Sequence, residues 1–480
     1  MLEHVKHIHF IGIGGAGLSA IAKVMLAQGM TVSGSDQSAN AATLGLAAAG
    51  ARIYSGHVAE NIQGADLVAI SSAIPADNPE WSAAVARQIP VVKRDALLGT
   101  MMQGHEGIAV AGTAGKTTTT AMLAYCLSEL GCDPTFIVGG VLANYETNAR
   151  AGHGPHFIVE ADEYDRMFLG LTPKHAIITN IEFDHPDCFS DEADVVRAFQ
   201  AFVSLPSLRS SGSIVLLCGD DRNARALRSV AQGALAYGFG EQNDYRIIDP
   251  HWDAERGAEF VVAHDRRSLA VVRMGLPGRH NMLNACAVIA LCHRLALDLA
   301  QATAALSRFT GTHRRFEILA ETHGVTIVDD YAHHPTKIRA TLAAARERFA
   351  GRKLWVVFQP HTYSRTRALM GEFAQSFVDA DEVIITEIFA ARETDTLGVS
   401  GAQLVARMTH PRKEFKAGLD EAAAYLQKRL APGDVLLLLG AGDVNTLAAR
   451  LWQAAPPPGG VPATGVPAST NVLGSRGQVV

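Results

Sequence analysis

The chain has 480 residues, 48% apolar and 19% charged, with a net charge of −6 and a pI near 6.3. That length exceeds one ordinary core and implies two to four domains. The acidic balance excludes nucleic acid as a bulk partner, because phosphate backbones need a basic surface.

The N-terminus has no apolar signal core behind a basic start and opens directly into a strand-like HIHFIGI. No apolar run approaches the length needed to cross a bilayer, so the expected location is the cytoplasm, with no membrane partner. Short apolar runs and helical patterns then alternate: Ile8–Ile13, Gly17–Gln28, Thr31–Gly34, Ala42–Ala49 and Leu67–Ser71. Such alternation predicts a parallel sheet flanked by helices. A second block begins at Gly107–Gly112 and continues through Phe157–Asp162, His175–Ile181 and Ser213–Gly219. The pattern restarts with Val325–Asp330, an Ala-rich helix after Pro335, Lys353–Phe358, Glu382–Ile388 and Asp434–Gly440. The class is therefore α/β, in three tandem units spanning residues 1–102, 103–312 and 313–455. Residues 456–480, rich in Pro, Gly, Val, Ser and Thr, read as a disordered tail. The six cysteines form no C-x-x-C pair, which points to buried free thiols rather than zinc or disulfides.

The loop G-I-G-G-A-G, from Gly12 to Gly17, follows a strand and opens a helix, and Asp36 lies nineteen residues beyond Gly17. This is a dinucleotide-type fingerprint: the loop lets backbone approach a diphosphate, and the acid meets a ribose. A nicotinamide-dependent oxidoreductase would use the same features, but it leaves Lys116, Thr117 and Glu160 without work. A tight turn without ligand is the plain alternative. The second loop, Ala111 to Thr120, reads A-G-T-A-G-K-T-T-T-T. A strict phosphate loop needs glycine where Val110 stands, yet Gly112, Gly115, Lys116 and Thr117 keep the essentials. Backbone amides cradle phosphate, Lys116 reaches the outer oxygens, and the Thr117 hydroxyl faces Mg²⁺.

Glu160 ends a strand of the same block and is the natural Mg²⁺ ligand, whereas Glu163 and Asp165 fit a solvated turn equally well. Asp184 and His185 suggest a second metal position, although a hydrogen-bonded structural His185 suits the chemistry of magnesium better. Asn281 and Asn284 share a helical face and either cap that helix or read an adenine edge; capping is the simpler reading. In the third block, Arg314, Arg315 and Arg365 cluster near strand ends, where arginine suits a carboxylate or phosphoryl group.

In this order the motifs resemble the Mur ligase family over roughly residues 5 to 452. The likeness is strongest in Gly12–Gly17, Ser71–Pro75, D-D-Y-A-H-H-P-T and F-Q-P-H-T-Y-S-R-T-R, which are similar to the branch that adds L-alanine to UDP-N-acetylmuramate. The resemblance implies an N-terminal Rossmann-like domain, a central P-loop ATPase-like sheet and a C-terminal Rossmann-like domain. It further implies an ATP-dependent acid–amino-acid ligase acting through an acyl-phosphate, with ATP and two Mg²⁺ ions, as a monomer or dimer. By the same likeness, Gly14, Gly15, Ala16, Gly17, Asp36, Ser71 and Ser72 hold the UDP-sugar. Gly112, Thr113, Ala114, Gly115, Lys116, Thr117, Thr118, Asn284, Arg315 and Asp330 hold ATP, with Asn284 at the adenine and Asp330 at the ribose. Thr117, Glu160 and His185 bind metal, and Lys116, His185 and Arg315 are catalytic. Tyr331, His333 and Arg365 wall the amino-acid pocket. Ala114 stands where the family usually carries a polar residue, and Thr362 where alanine-adding relatives often carry arginine.

Overall fold

The computed structural model describes residues 2–71, 74–253 and 256–451. Ser72 and the expected tail lie outside the described residues. The chain forms three sheets in succession.

The first has five parallel strands in the order Arg52–Ser55, Thr31–Asp36, His7–Ile11, Leu67–Ile70, Val91–Lys93. Numbered along the chain this is 3-2-1-4-5, the doubly wound order whose reversal leaves a crevice at the carboxyl ends of the strands. The helix Ala16–Ala27 buries Leu18, Ile21, Val24 and Met25 against it, which is why its apolar residues recur at three- and four-residue intervals.

The second sheet has ten strands. Its parallel centre includes Glu106–Ala111, flanked by His156–Ala161 and His175–Ile178, and an antiparallel meander from Tyr245 to Met274 forms one edge. The helix Lys116–Glu129 is buried continuously from Thr117 to Leu127, because it lies between this sheet and the helix Arg279–Arg294. A helix covered on all sides carries no polar stripe.

The third sheet has six strands, in the order Glu317–Thr322, Val325–Asp330, Val435–Leu439, Leu354–Phe358, Glu382–Ile385, Lys413–Phe415. All its pairings are parallel except the hairpin at the Glu317 edge. Buried apolar residues run unbroken through its central strands Val435–Leu439 and Leu354–Phe358, as expected of strands covered on both faces. Among the described residues no helix is long and apolar enough to cross a membrane, and all six cysteines are free.

Candidate active site

The strand Glu106–Ala111 ends in a loop whose backbone is fixed by two glycines. Gly112 has φ +140° and Gly115, the residue before the helix, has φ +83°. A Cβ on Gly112 would collide with the Thr179 hydroxyl, and one on Gly115 would sit 2.9 Å from Asn284 Oδ1. The loop is braced from below. Ala114 N–H donates to Asn180 Oδ1 at 2.8 Å, and the Thr179 hydroxyl donates to the Ala114 carbonyl at 2.6 Å. Because backbone bonds define its shape, the methyl of Ala114 leaves the cradle intact.

Lys116 Nζ donates to the Gly112 carbonyl at 2.6 Å and to Glu163 Oε2 at 2.5 Å. Burial alone would lower its pKa, but the carboxylates of Glu163, Asp162 and Glu160 outweigh that effect and push it up to about 12. The Thr117 hydroxyl donates to Glu160 Oε1 at 3.0 Å, and Gly139 N–H holds the other Glu160 oxygen at 2.8 Å. Glu163, which sequence alone left open as a solvated turn, is instead 1% exposed and is the counter-ion of Lys116. Asp165 does lie in a solvated turn, 3.8 Å from exposed Lys93.

His185 Nε2 stands 4.0 Å from Glu163 Oε1, an oxygen that is buried without a hydrogen-bond partner. Among the described residues no group of three His, Cys, Asp or Glu side chains forms a metal cage. Two smaller donor sets fit Mg²⁺, which keeps waters and phosphate oxygens as most of its ligands. They are Thr117 with Glu160, and Glu163 Oε1 with His185.

The third domain reaches this loop directly. Arg315 Nη2 donates to the Thr117 hydroxyl at 3.3 Å, and its guanidinium lies 4.8 Å from the Tyr331 ring centre. Arg365 Nε donates to Asp184 Oδ1 at 2.7 Å in a fully buried pair. Burial would raise the Asp184 carboxyl, but Arg365, His185 and Lys337 hold it well below the usual carboxylate range. His333 lies beside Tyr331, with ring centres 5.1 Å apart, and its Nδ1 is 2.7 Å from the Tyr331 carbonyl. Burial, then Lys337 and Arg365, keep that imidazole well below its ordinary pKa.

Models of the Mur ligase catalytic, middle and glutamate ligase domains match residues 7–106, 110–292 and 314–442. A UDP-N-acetylmuramate–L-alanine ligase of a Geobacter species is 42% identical over 449 residues, covering 92% of this chain and 96% of its own. The chain belongs to the Mur ligase family. The ligase of the same description from Caldanaerobacter subterraneus is 40% identical over 456 residues, covering 94% of this chain and 98% of its own. Among solved structures, the UDP-N-acetylmuramate-alanine ligase of Thermotoga maritima superposes with a TM-score of 0.79 at 31% identity, covering 93% of this chain and 98% of that one. A murein peptide ligase from Psychrobacter arcticus gives 0.68 at 25% identity, covering 93% and 98%.

In this Mur ligase the first glycine loop opens on a cavity of about 240 Å³, lined by Gly12, Gly15, Gly17, Ser71, Arg94 and, from the third domain, Arg392. Asp36, expected to meet a ribose, accepts the Gly14 N–H at 2.8 Å and so shapes the loop itself. Asp330 also braces a turn. Its two oxygens accept the N–H groups of Phe316 and Ala332 at 2.9 and 2.8 Å, which ties down the turn that presents Arg315.

The capping reading of the asparagine pair does not hold. Gly278 precedes the helix with no side-chain cap, Asn281 Nδ2 donates to the Pro277 carbonyl at 2.8 Å, and Asn284 Nδ2 donates to Asn281 Oδ1 at 3.2 Å. Sequence reasoning also passed over Lys337 and the bracing pair Thr179 and Asn180. The signal for the pair was its strand-end position, opposite the phosphate loop in a neighbouring parallel strand.

Proposed function

We propose that this Mur ligase joins L-alanine to the carboxylate of UDP-N-acetylmuramate, converting ATP to ADP and phosphate in peptidoglycan precursor synthesis. The observation that carries the reading is the braced loop with Lys116 at its mouth, Glu160 on Thr117, and Arg315 arriving from the third domain. Relatives at 40 to 42% identity that bear this activity in their names support it over nearly the whole chain. Residues 1–102 serve the UDP-sugar, 103–312 serve ATP, and 313–455 serve the amino acid.

ATP lies along Gly112–Thr118, with amides and Lys116 on its phosphates, Asn284 towards the adenine and Arg315 on the outer phosphoryl group. Thr117 with Glu160, and Glu163 with His185, would hold Mg²⁺, which would supply charge neutralisation at the phosphates. Lys116, cationic at any working pH, offsets the charge of the phosphoryl group as a muramyl carboxylate oxygen bonds to phosphorus and the bond to ADP breaks. The product is an acyl-phosphate, needed because a free carboxylate is a poor electrophile. Arg365, with Tyr331 and His333, orients L-alanine. Its ammonium first loses a proton to solvent; the amine nitrogen then bonds to the acyl carbon. The carbon–oxygen bond to phosphate breaks, and phosphate leaves carrying the second proton. Most of the acceleration comes from positioning and fixed charge. Free thiols and an ATP requirement both suit the cytoplasm.

The test is phosphate release from ATP, which should require both UDP-N-acetylmuramate and L-alanine; hydrolysis indifferent to both overturns the reading. A muramyl tripeptide acceptor preferred over L-alanine would move the chain to the peptide-recycling branch.

A further inference from the structure

Lys337 occupies the first turn of the helix Pro335–Arg348, the end where the helix dipole disfavours a cation, and no acidic residue of that turn offsets it. Its side chain is 15% exposed and points to the groove between the second and third domains, with Nζ 3.8 Å from Asp184 Oδ2. That distance is too long for a hydrogen bond, and Asp184 is already neutralised by Arg365 at 2.7 Å. The like charges that act on Lys337 are those of Lys116, Arg315 and Arg365, and the imidazoles of His333 and His334 lie within its field as well. A largely buried ammonium for which no hydrogen bond to protein is seen among the described residues, at the wrong end of a helix and among like charges, costs the fold stability. Burial, with these cations, lowers its pKa to about 8 against the pull of Asp184.

We infer that Lys337 is a further catalytic residue, whose ammonium contacts the phosphoryl oxygens during transfer from ATP to the muramyl carboxylate and on the resulting acyl-phosphate. Its neighbours fix the assignment: Lys116 and Arg315 mark the phosphate side of the groove and Arg365 the amino-acid side. Lys337 is tied to this groove through Asp184, 3.8 Å from its Nζ, which Arg365 pairs at 2.7 Å and His185 approaches to 4.0 Å, and the acyl-phosphate must form along that wall. In the transfer step the carboxylate–phosphorus bond forms, the bond to ADP breaks, and Lys337 keeps its proton. The inference rests on the ligase reading given above.

The experiment separates the two half-reactions. Wild type and the Lys337→Gln and Lys337→Arg variants are given ATP, Mg²⁺ and UDP-N-acetylmuramate without L-alanine, and hydroxylamine traps the acyl-phosphate as a hydroxamate. Steady-state kinetics with L-alanine follow on the same preparations. The expected result is a loss of about 10²- to 10³-fold in hydroxamate formation and in kcat for Lys337→Gln, the size of losing one transition-state donor. KM for L-alanine should stay within about threefold, with partial recovery in Lys337→Arg. Unchanged trapping with a raised KM for L-alanine would reassign Lys337 to the amino-acid carboxylate and overturn the inference. So would unchanged kinetics altogether, which would leave it a counter-ion of Asp184. A Lys337→Gln chain that fails to fold beside an active Lys337→Arg with undiminished trapping shows that only charge balance is needed, and also overturns it. If wild type itself traps no hydroxamate, the ligase reading fails rather than this one.

Discussion

Lys116 and Glu163 form a buried ion pair in which each partner answers for the other's desolvation. Replacing Lys116 with Met removes the cation assigned to phosphate under the proposed function and strands a carboxylate that is 1% exposed. Turnover should fall by at least about 10³-fold, and unfolding free energy by ~3–5 kcal/mol. The double variant Lys116→Met, Glu163→Gln should regain most of the stability and none of the activity, as thermal melts and phosphate release would show. Glu80 is a different case. It is fully buried in the first domain and accepts hydrogen bonds from Ser35 and Asn61, with His9 and His57 alongside. Burial would raise its carboxyl, but the nearby His9 imidazole and the bonds from Ser35 and Asn61 prevail and hold it at about 2, against 4.5 ordinarily. The unfolded chain therefore binds this proton more tightly than the native one. The stabilisation, ~3 kcal/mol, is complete above about pH 4.5 and drains away as pH falls towards 2. Urea midpoints measured across that range should drop steeply for wild type and less so for Glu80→Gln. A flat wild-type profile would contradict the assignment. Neither pairing is visible in sequence, since Lys116 and Glu163 are forty-seven residues apart, and Glu80 and Ser35 forty-five.

At the level of elements, the short helix Tyr363–Ala368 matters because it carries Arg365. Thr362, just before it, has φ +65°, a left-handed conformation uncommon for a branched residue. Glu393 offsets this by accepting the N–H groups of Tyr363 at 2.5 Å and Ser364 at 3.0 Å, and the Ser364 hydroxyl as well. A carboxylate at a helix N-terminus contributes about 1 kcal/mol. Glu393→Gln should therefore loosen the helix and lower kcat/KM for L-alanine by about fivefold, with little change in KM for ATP. An equal effect on both substrates would deny the helix its separate role. Elements of this kind were legible in part. Strand–loop–helix alternation located both glycine loops and the strands ending at Ala111, Ala161 and Asp330, because apolar runs bounded by glycine and acid need only local information. The bonds of Asn281 and Asn284 were not legible, since a capping residue and a side chain packed against a distant loop look alike in sequence.

At the scale of the molecule, the contacts between the second and third domains differ in strength, and two of them mark the range. The Arg315 bond to Thr117 is a single long hydrogen bond, whereas Arg365 and Asp184 are buried together. Arg315→Ala should leave the melting temperature within about 2 °C of wild type and cut turnover by about 10²-fold. Asp184→Asn should instead release the third domain, visible as an enlarged radius of gyration in solution scattering that Arg315→Ala does not produce. By itself the sequence determined the α/β class, the two glycine loops, the lysine at the mouth of the second and the strand ends that face it, because each follows from local patterning and backbone sterics. Only the tertiary structure decided that Glu163 is buried against Lys116 and that Asp36 and Asp330 hold turns. It alone brought Asp184, Lys337 and Arg365 into one groove, because burial and the pairing of charge depend on which distant segments the packing places side by side.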